Sequence, residues 1–152
     1  VGIGTTMLFH CDLVYAGDNA AFSMPFVNLG LCPEAASSLL VPQMLGYHRA
    51  AEALLLGEPF MAEAALEVGL VNRVVPDAEL ASEVEKIALR IASKSPLVLR
   101  RMKQVVADGL EQPQASALRL ERLVLDAHRH SHDIQEGLAA FVGKRTPDFK
   151  GY

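Results

Sequence analysis

Short apolar runs cut by turn residues fill the first third of the chain, and a helical period takes over afterwards. Leu13-Val14-Tyr15-Ala16 has the length and composition of a buried strand, and Gly17-Asp18-Asn19 closes it as a turn. Ala21-Phe22-Ser23-Met24 reads as a second strand, stopped by Pro25. Ahead of both, Gly4 and two threonines open an apolar stretch, Thr5 to Cys11, that suits a helix.

Three helices are then predicted: Ser37 to Leu45 with Gly46 as its stop, His48 to Leu56 before Gly57, and Ala62 to Val68 before Gly69. Glycine supplies the left-handed residue on which many helices end. Leu70 to Val75 reads as a strand closed by Pro76. Everything beyond predicts helix. Asp77 is placed as N-cap of a stripe formed by Leu80, Val84, Ile87 and Ile91, and Ser95-Pro96 opens a helix with Leu99, Met102, Val106 and Leu110 on one face. A third carries Ala117, Leu120, Val124 and Ala127, and a fourth Ile134, Leu138, Phe141 and Val142. These amphipathic faces exceed what the small strand region can cover, which predicts a helical partner surface.

Composition narrows the class. At 152 residues and 51% hydrophobic, the chain can bury a real core and is not a disordered or low-complexity segment. A formal charge of −4 offers no bulk basic surface for nucleic acid. Two cysteines, Cys11 and Cys32, build no disulfide framework, which fits a reduced, cytoplasmic setting. The longest apolar run, Ala50 to Gly57, is broken by Glu52, so no membrane span is expected. Val1-Gly2-Ile3-Gly4 lacks a basic n-region and is not read as a signal peptide.

Candidate chemistry is sparse. Gly2-Ile3-Gly4 before a helix can present backbone N–H groups to an anion, or it is simply a tight turn. Glu34, among small residues at a helix entrance, is either a first-turn glutamate answering the helix dipole or a general base in an apolar pocket. His128, His130 and His132 suggest a metal cluster, but only the outer pair, four apart, shares a helix face, so a solvated face is expected. His10 is read as a satisfied core histidine and Cys11 as packing. Lys144-Arg145 offers two cations for a phosphate, or an ordinary surface pair.

Several stretches together resemble the crotonase (enoyl-CoA hydratase/isomerase) superfamily, and more closely its Δ3,Δ2-enoyl-CoA isomerase branch. They are Val1 to Thr6, His10 to Ala16, Phe22 to Phe26, Leu29-Gly30-Leu31-Cys32-Pro33-Glu34, Gly69-Leu70-Val71, and Ala140 to Arg145. The resemblance implies an α/β fold. Residues 1–76 would form the C-terminal part of a ββα spiral core, whose N-terminal half lies ahead of Val1 in family members. Residues 77–152 would form an α-helical trimerisation region, giving a homotrimer or a dimer of trimers.

It also implies roles. The second oxyanion-hole N–H falls on Ile3, between Gly2 and Gly4. The two glutamates used by the family's hydratases match Thr6 and Phe26, and neither residue moves a proton usefully near neutral pH, so hydration is disfavoured. The single glutamate of the isomerase branch matches Glu34. Met24, Phe26 and Leu29 would line the acyl pocket. Phe141 and Lys144 would reach the coenzyme A of a neighbouring subunit. No separate cofactor is implied, since coenzyme A belongs to the substrate, an acyl-CoA thioester. Competing readings are another crotonase reaction through Glu34 (dienoyl-CoA isomerisation, a lyase or hydration) and a non-catalytic acyl-CoA-binding or assembly module.

Overall fold

A computed structural model of the chain describes residues 1–92 and 129–148, together with 99, 102, 103, 119, 122 and 126. Strands β1 (Tyr15–Gly17) and β4 (Arg73–Val75) run parallel with Ala16 opposite Val74. A parallel pair needs a long crossover. Here the crossover holds β2 (Ala21–Phe22), helix α2 (Ser37–Leu45), helix α3 (Tyr47–Leu56), β3 (Phe60–Met61) and helix α4 (Ala62–Glu67). Strands β2 and β3 pair antiparallel, Phe22 opposite Phe60, and their rings stack at 5.8 Å. Asn72 lengthens the parallel ladder: its side-chain oxygen accepts from the Val14 amide and its own amide donates to the Val14 carbonyl, both at 2.7 Å.

Among the described residues, two apolar clusters make the core. One gathers Val14, Ala16, Phe22, Ala62, Ala65, Leu70 and Val71 around the strands. The other joins Met24 and Phe26 to Val41 of α2 and Ala50 of α3. Phe9 and Phe60 pack against both, so the clusters share a wall.

Helix limits follow the local signals closely. Helix α2 ends at Gly46 and α3 at a left-handed Gly57, as the glycine stops predict. The first segment departs from expectation: α1 (Ile3–Thr6) starts two residues early and tightens into a 3-10 turn, Met7–His10. Asp77 is not an N-cap. It opens the 3-10 turn Asp77–Glu79 that leads into α5 (Leu80–Ala92), and its amide donates to Asp18 Oδ1 at 3.2 Å. No residue of α5 is fully buried, and Val84 and Ile91 of its apolar stripe stand exposed.

Helix α6 (His132–Gly143) is capped by Ser131, whose hydroxyl accepts from the Ile134 amide at 3.3 Å. Its buried face is Ile134, Gly137 and Ala140; of the predicted stripe Ile134 is buried, while Leu138, Phe141 and Val142 are exposed. Gly137 explains the choice. A Cβ there would lie 2.0 Å from the Leu29 carbonyl oxygen, so α6 seats its backbone directly on the 3-10 turn Val27–Leu29. The predicted helices between residues 95 and 127 fall outside the described residues, apart from isolated positions such as Leu99 and Met102. Among the described residues, no helix is long and apolar enough to cross a membrane.

Candidate active site

The glycine turn leaves one amide without an acceptor among the described residues. Gly2 adopts φ 56° and ψ −127°, a conformation that essentially only glycine tolerates. Its N–H donates to the Ser23 carbonyl at 2.9 Å, and the Ser23 amide donates to Thr5 Oγ1 at 3.3 Å. The turn is thereby stitched to the end of β2. The Gly4 amide donates to Val1, and the Thr5 and Thr6 amides donate to Gly2. Ile3, at the first helical position, has no acceptor for its N–H among the described residues, as the first turn of a helix dictates. Its side chain points outward and is 60% exposed.

Glu34 comes to the same segment from the opposite direction. It sits ahead of α2, outside the first turn, so the helix-dipole explanation of this residue does not hold. Thr6, fully buried, donates its hydroxyl to Glu34 Oε1 at 2.6 Å. The Glu34 carbonyl accepts from the Ser37 hydroxyl at 2.5 Å and the Ser37 amide at 3.0 Å. The next two residues, Ala35 and Ala36, are left-handed at φ 53° and 58°. Alanine pays for that conformation, and such strain persists only where neighbours impose it. Here His10 Nε2 bonds the Ala35 carbonyl at 2.7 Å, and Ala36 is fully buried. The arrangement can hold negative charge at one amide and carry a proton on one half-buried carboxyl.

Other predicted site residues are placed as follows. Met24 has no exposed surface and Phe26 only 6%, so both are core in this structure rather than an open wall. Leu29 is half-buried beneath α6, and Gly4 is an ordinary helical residue. Phe141 and Lys144 are exposed, Lys144 lining a shallow hollow with Val27, Asn28 and Pro147. Of the cation pair, Arg145 is already engaged. Its guanidinium forks onto Glu136 at 2.5 and 2.7 Å, and with the Asp148 amide it holds the Glu136 carboxyl down at about 2.

Two readings need correction. His10 is exposed, not a core residue, and works as a clamp on the Glu34 loop. Cys11 is exposed and does not pack in the core. Thr6, which matches a hydratase glutamate in the resemblance, here donates its hydroxyl to the candidate base. Thr6 and His10 are four apart, one helical face, and that polar pair on an apolar segment was the available signal. His130 and His132 are exposed, His128 lies outside the described residues, and no metal-binding group is found among the described residues.

The family model for enoyl-CoA hydratase/isomerase matches residues 1–152. The chain is 34% identical over 151 residues to 2,3-dehydroadipyl-CoA hydratase of Escherichia coli K12, covering 99% of this chain and 59% of that protein. It is 35% identical over 150 residues to 1,2-epoxyphenylacetyl-CoA isomerase of the same organism, covering 99% and 57%. The crystal structure of an enoyl-CoA hydratase/isomerase from Pseudoalteromonas atlantica T6c superimposes with TM-score 0.91 at 39% identity, over 98% of this chain and 60% of that one. The chain thus spans about three fifths of the length of these relatives. With the match running from first residue to last and the backbone agreeing this closely, the chain belongs to the enoyl-CoA hydratase/isomerase family and carries the crotonase fold.

Proposed function

We propose that the chain serves an acyl-CoA isomerase that moves a double bond from C3 to C2 of an enoyl-CoA. Glu34 is the single proton carrier, and the Ile3 amide is one of the donors on the thioester oxygen. One observation carries this reading: the Glu34 carboxylate is bonded to the short helical segment whose first amide has no acceptor among the described residues. A base and an oxyanion donor held by one segment are the minimum that this chemistry requires.

The carboxylate takes a proton from C2 of the 3-enoyl thioester, and the C–H electron pair delocalises onto the thioester oxygen. The dienolate oxygen meets the Ile3 N–H. The carboxyl then returns its proton to C4, leaving the conjugated 2-enoyl thioester. Addition of water would need a second acid–base group at Thr6 or Phe26, and Phe26 is buried in the core.

Assembly belongs to the same reading. The exposed Val84, Ile91, Leu138, Phe141 and Val142 favour a homotrimer or dimer of trimers through the C-terminal helices, with Phe141 and Lys144 toward a neighbour's coenzyme A. A cytoplasmic enzyme fits the cysteine usage.

The test is Glu34→Gln in the purified protein, with formation of the conjugated thioester followed by ultraviolet absorbance. Turnover should fall by about 10²–10⁴-fold with thioester binding retained. Turnover near the wild-type rate, or robust hydration of crotonyl-CoA, would overturn the assignment.

A further inference from the structure

We infer that Thr6 is a positioning residue for the proton carrier: its hydroxyl fixes Glu34 by Oε1 and leaves Oε2 as the oxygen that moves the proton. The inference rests on the isomerase reading of Glu34 and adds to it the device that aims the base.

The backbone on either side of Glu34 is already pinned. His10 Nε2 holds the Ala35 carbonyl at 2.7 Å, and Ser37 holds the Glu34 carbonyl through its hydroxyl at 2.5 Å and its amide at 3.0 Å. What these bonds leave free is rotation of the carboxylate about its own side-chain torsions. Among the described residues the Thr6 hydroxyl is the only hydrogen-bond partner of that carboxylate. Thr6 Oγ1 also lies 3.5 Å from the Ile3 carbonyl, but a hydroxyl has one proton, and the 2.6 Å contact to Glu34 takes it.

Burial makes the grip directional. Thr6 has no exposed surface, so water does not compete for its proton, and a buried hydroxyl without an acceptor would be costly. Oε1 is therefore held, and Oε2 is the oxygen free to meet C2 and then C4. A shuttle must reach both carbons from one position, since the same proton leaves one and arrives at the other. Thr6 belongs to the segment that begins with Ile3, so one rigid piece sets the oxyanion donor and the base together.

The experiment compares Thr6→Val, Thr6→Ser and Glu34→Gln in the purified protein. It measures isomerisation of a 3-enoyl-CoA and, in deuterium oxide, exchange at C2. Thr6→Val keeps the shape and loses the donor. Its kcat should fall about 10–100-fold with KM within about 2-fold, the scale of a misplaced reacting group. Exchange at C2 should fall less, because abstraction needs one alignment and delivery to C4 a second, so the ratio of exchange to isomerisation rises. Thr6→Ser should recover most of the rate and the wild-type ratio.

A wild-type rate and ratio in Thr6→Val would overturn the inference, as would equal losses in the Ser and Val variants. If Thr6→Val fails to fold, Thr6→Ala takes its place, and parity between Ala and Ser would be the overturning result. Persistent turnover in Glu34→Gln would instead remove the isomerase reading itself, so the two failures are distinct.

Discussion

Replacing Gly137 by alanine probes how α6 is seated. Alanine in a helix interior is ordinarily worth about 0.8–1.0 kcal/mol over glycine. At this position the added Cβ would meet the Leu29 carbonyl oxygen at 2.0 Å and its carbon at 2.5 Å. The first distance is about 1.4 Å short of the 3.4 Å at which ordinary contact begins, and the obstacle is backbone, not a pliable side chain. Overpacking costs roughly 1–3 kcal/mol, and an overlap this large against backbone belongs at the upper end. As α6 retreats it also uncovers Ile134 and Ala140, now only 5% and 1% exposed. The net loss is about 2 kcal/mol, or roughly 4–8 °C in melting temperature for a chain of this size. Urea unfolding followed by circular dichroism measures it. Gly143→Ala on the same helix is the control: its Cβ would find nothing nearer than 3.8 Å, so stability should hold or rise slightly. A Gly137→Ala protein as stable as the Gly143→Ala protein would refute the seating of α6 on the Val27–Leu29 turn.

Other perturbations separate conformation, charge and strain. Gly2→Ala meets no atom within 4 Å but cannot adopt φ 56° with ψ −127° without strain of about 1–3 kcal/mol. Re-aiming the Ile3 amide should lower kcat more than it raises KM in steady-state kinetics, and an unchanged kcat would count against the oxyanion role. Glu136 has its folded pKa lowered from 4.5 to about 2, so its pairing with Arg145 contributes fully above about pH 4.5 and is lost as pH falls toward 2. The stability gap between wild type and Glu136→Gln should therefore shrink across that window in acid unfolding, and a pH-independent gap would contradict the pairing. Ala35→Gly relieves a left-handed alanine, so stability should stay within about 1 kcal/mol while kcat drops as the base loop loosens, both read on the same preparation.

Helix ends were legible because capping is local. Gly46 and Gly57 stop α2 and α3 where glycine was expected to stop them, and the short β1 run closes at Gly17. The packed face of α6 was not legible, since hydrophobicity gives weight to Leu138, Phe141 and Val142 and almost none to Gly137. Small size decided the contact, and size matters only once the partner backbone is in place. Glu34 stood out by its surroundings and by resemblance, yet its clamps did not. His10 on an apolar helix looks like core until the tight turn swings it outward to Ala35. Left-handed alanines at 35 and 36 contradict alanine's own preference, so only contacts distant in the chain impose them.

Those two alanines have a consequence for how the protein fails. Left alone, the Glu34 loop would spring back to right-handed backbone, and what prevents this is the eight-residue bracket Ile3–His10 that bears Thr6 and His10. Warming or mild denaturant that frays the bracket lets the loop go while the longer helices α2 and α3 stay intact. On the proposed isomerase reading, turnover should then vanish ahead of the circular dichroism signal, with chemistry the earliest casualty of stress.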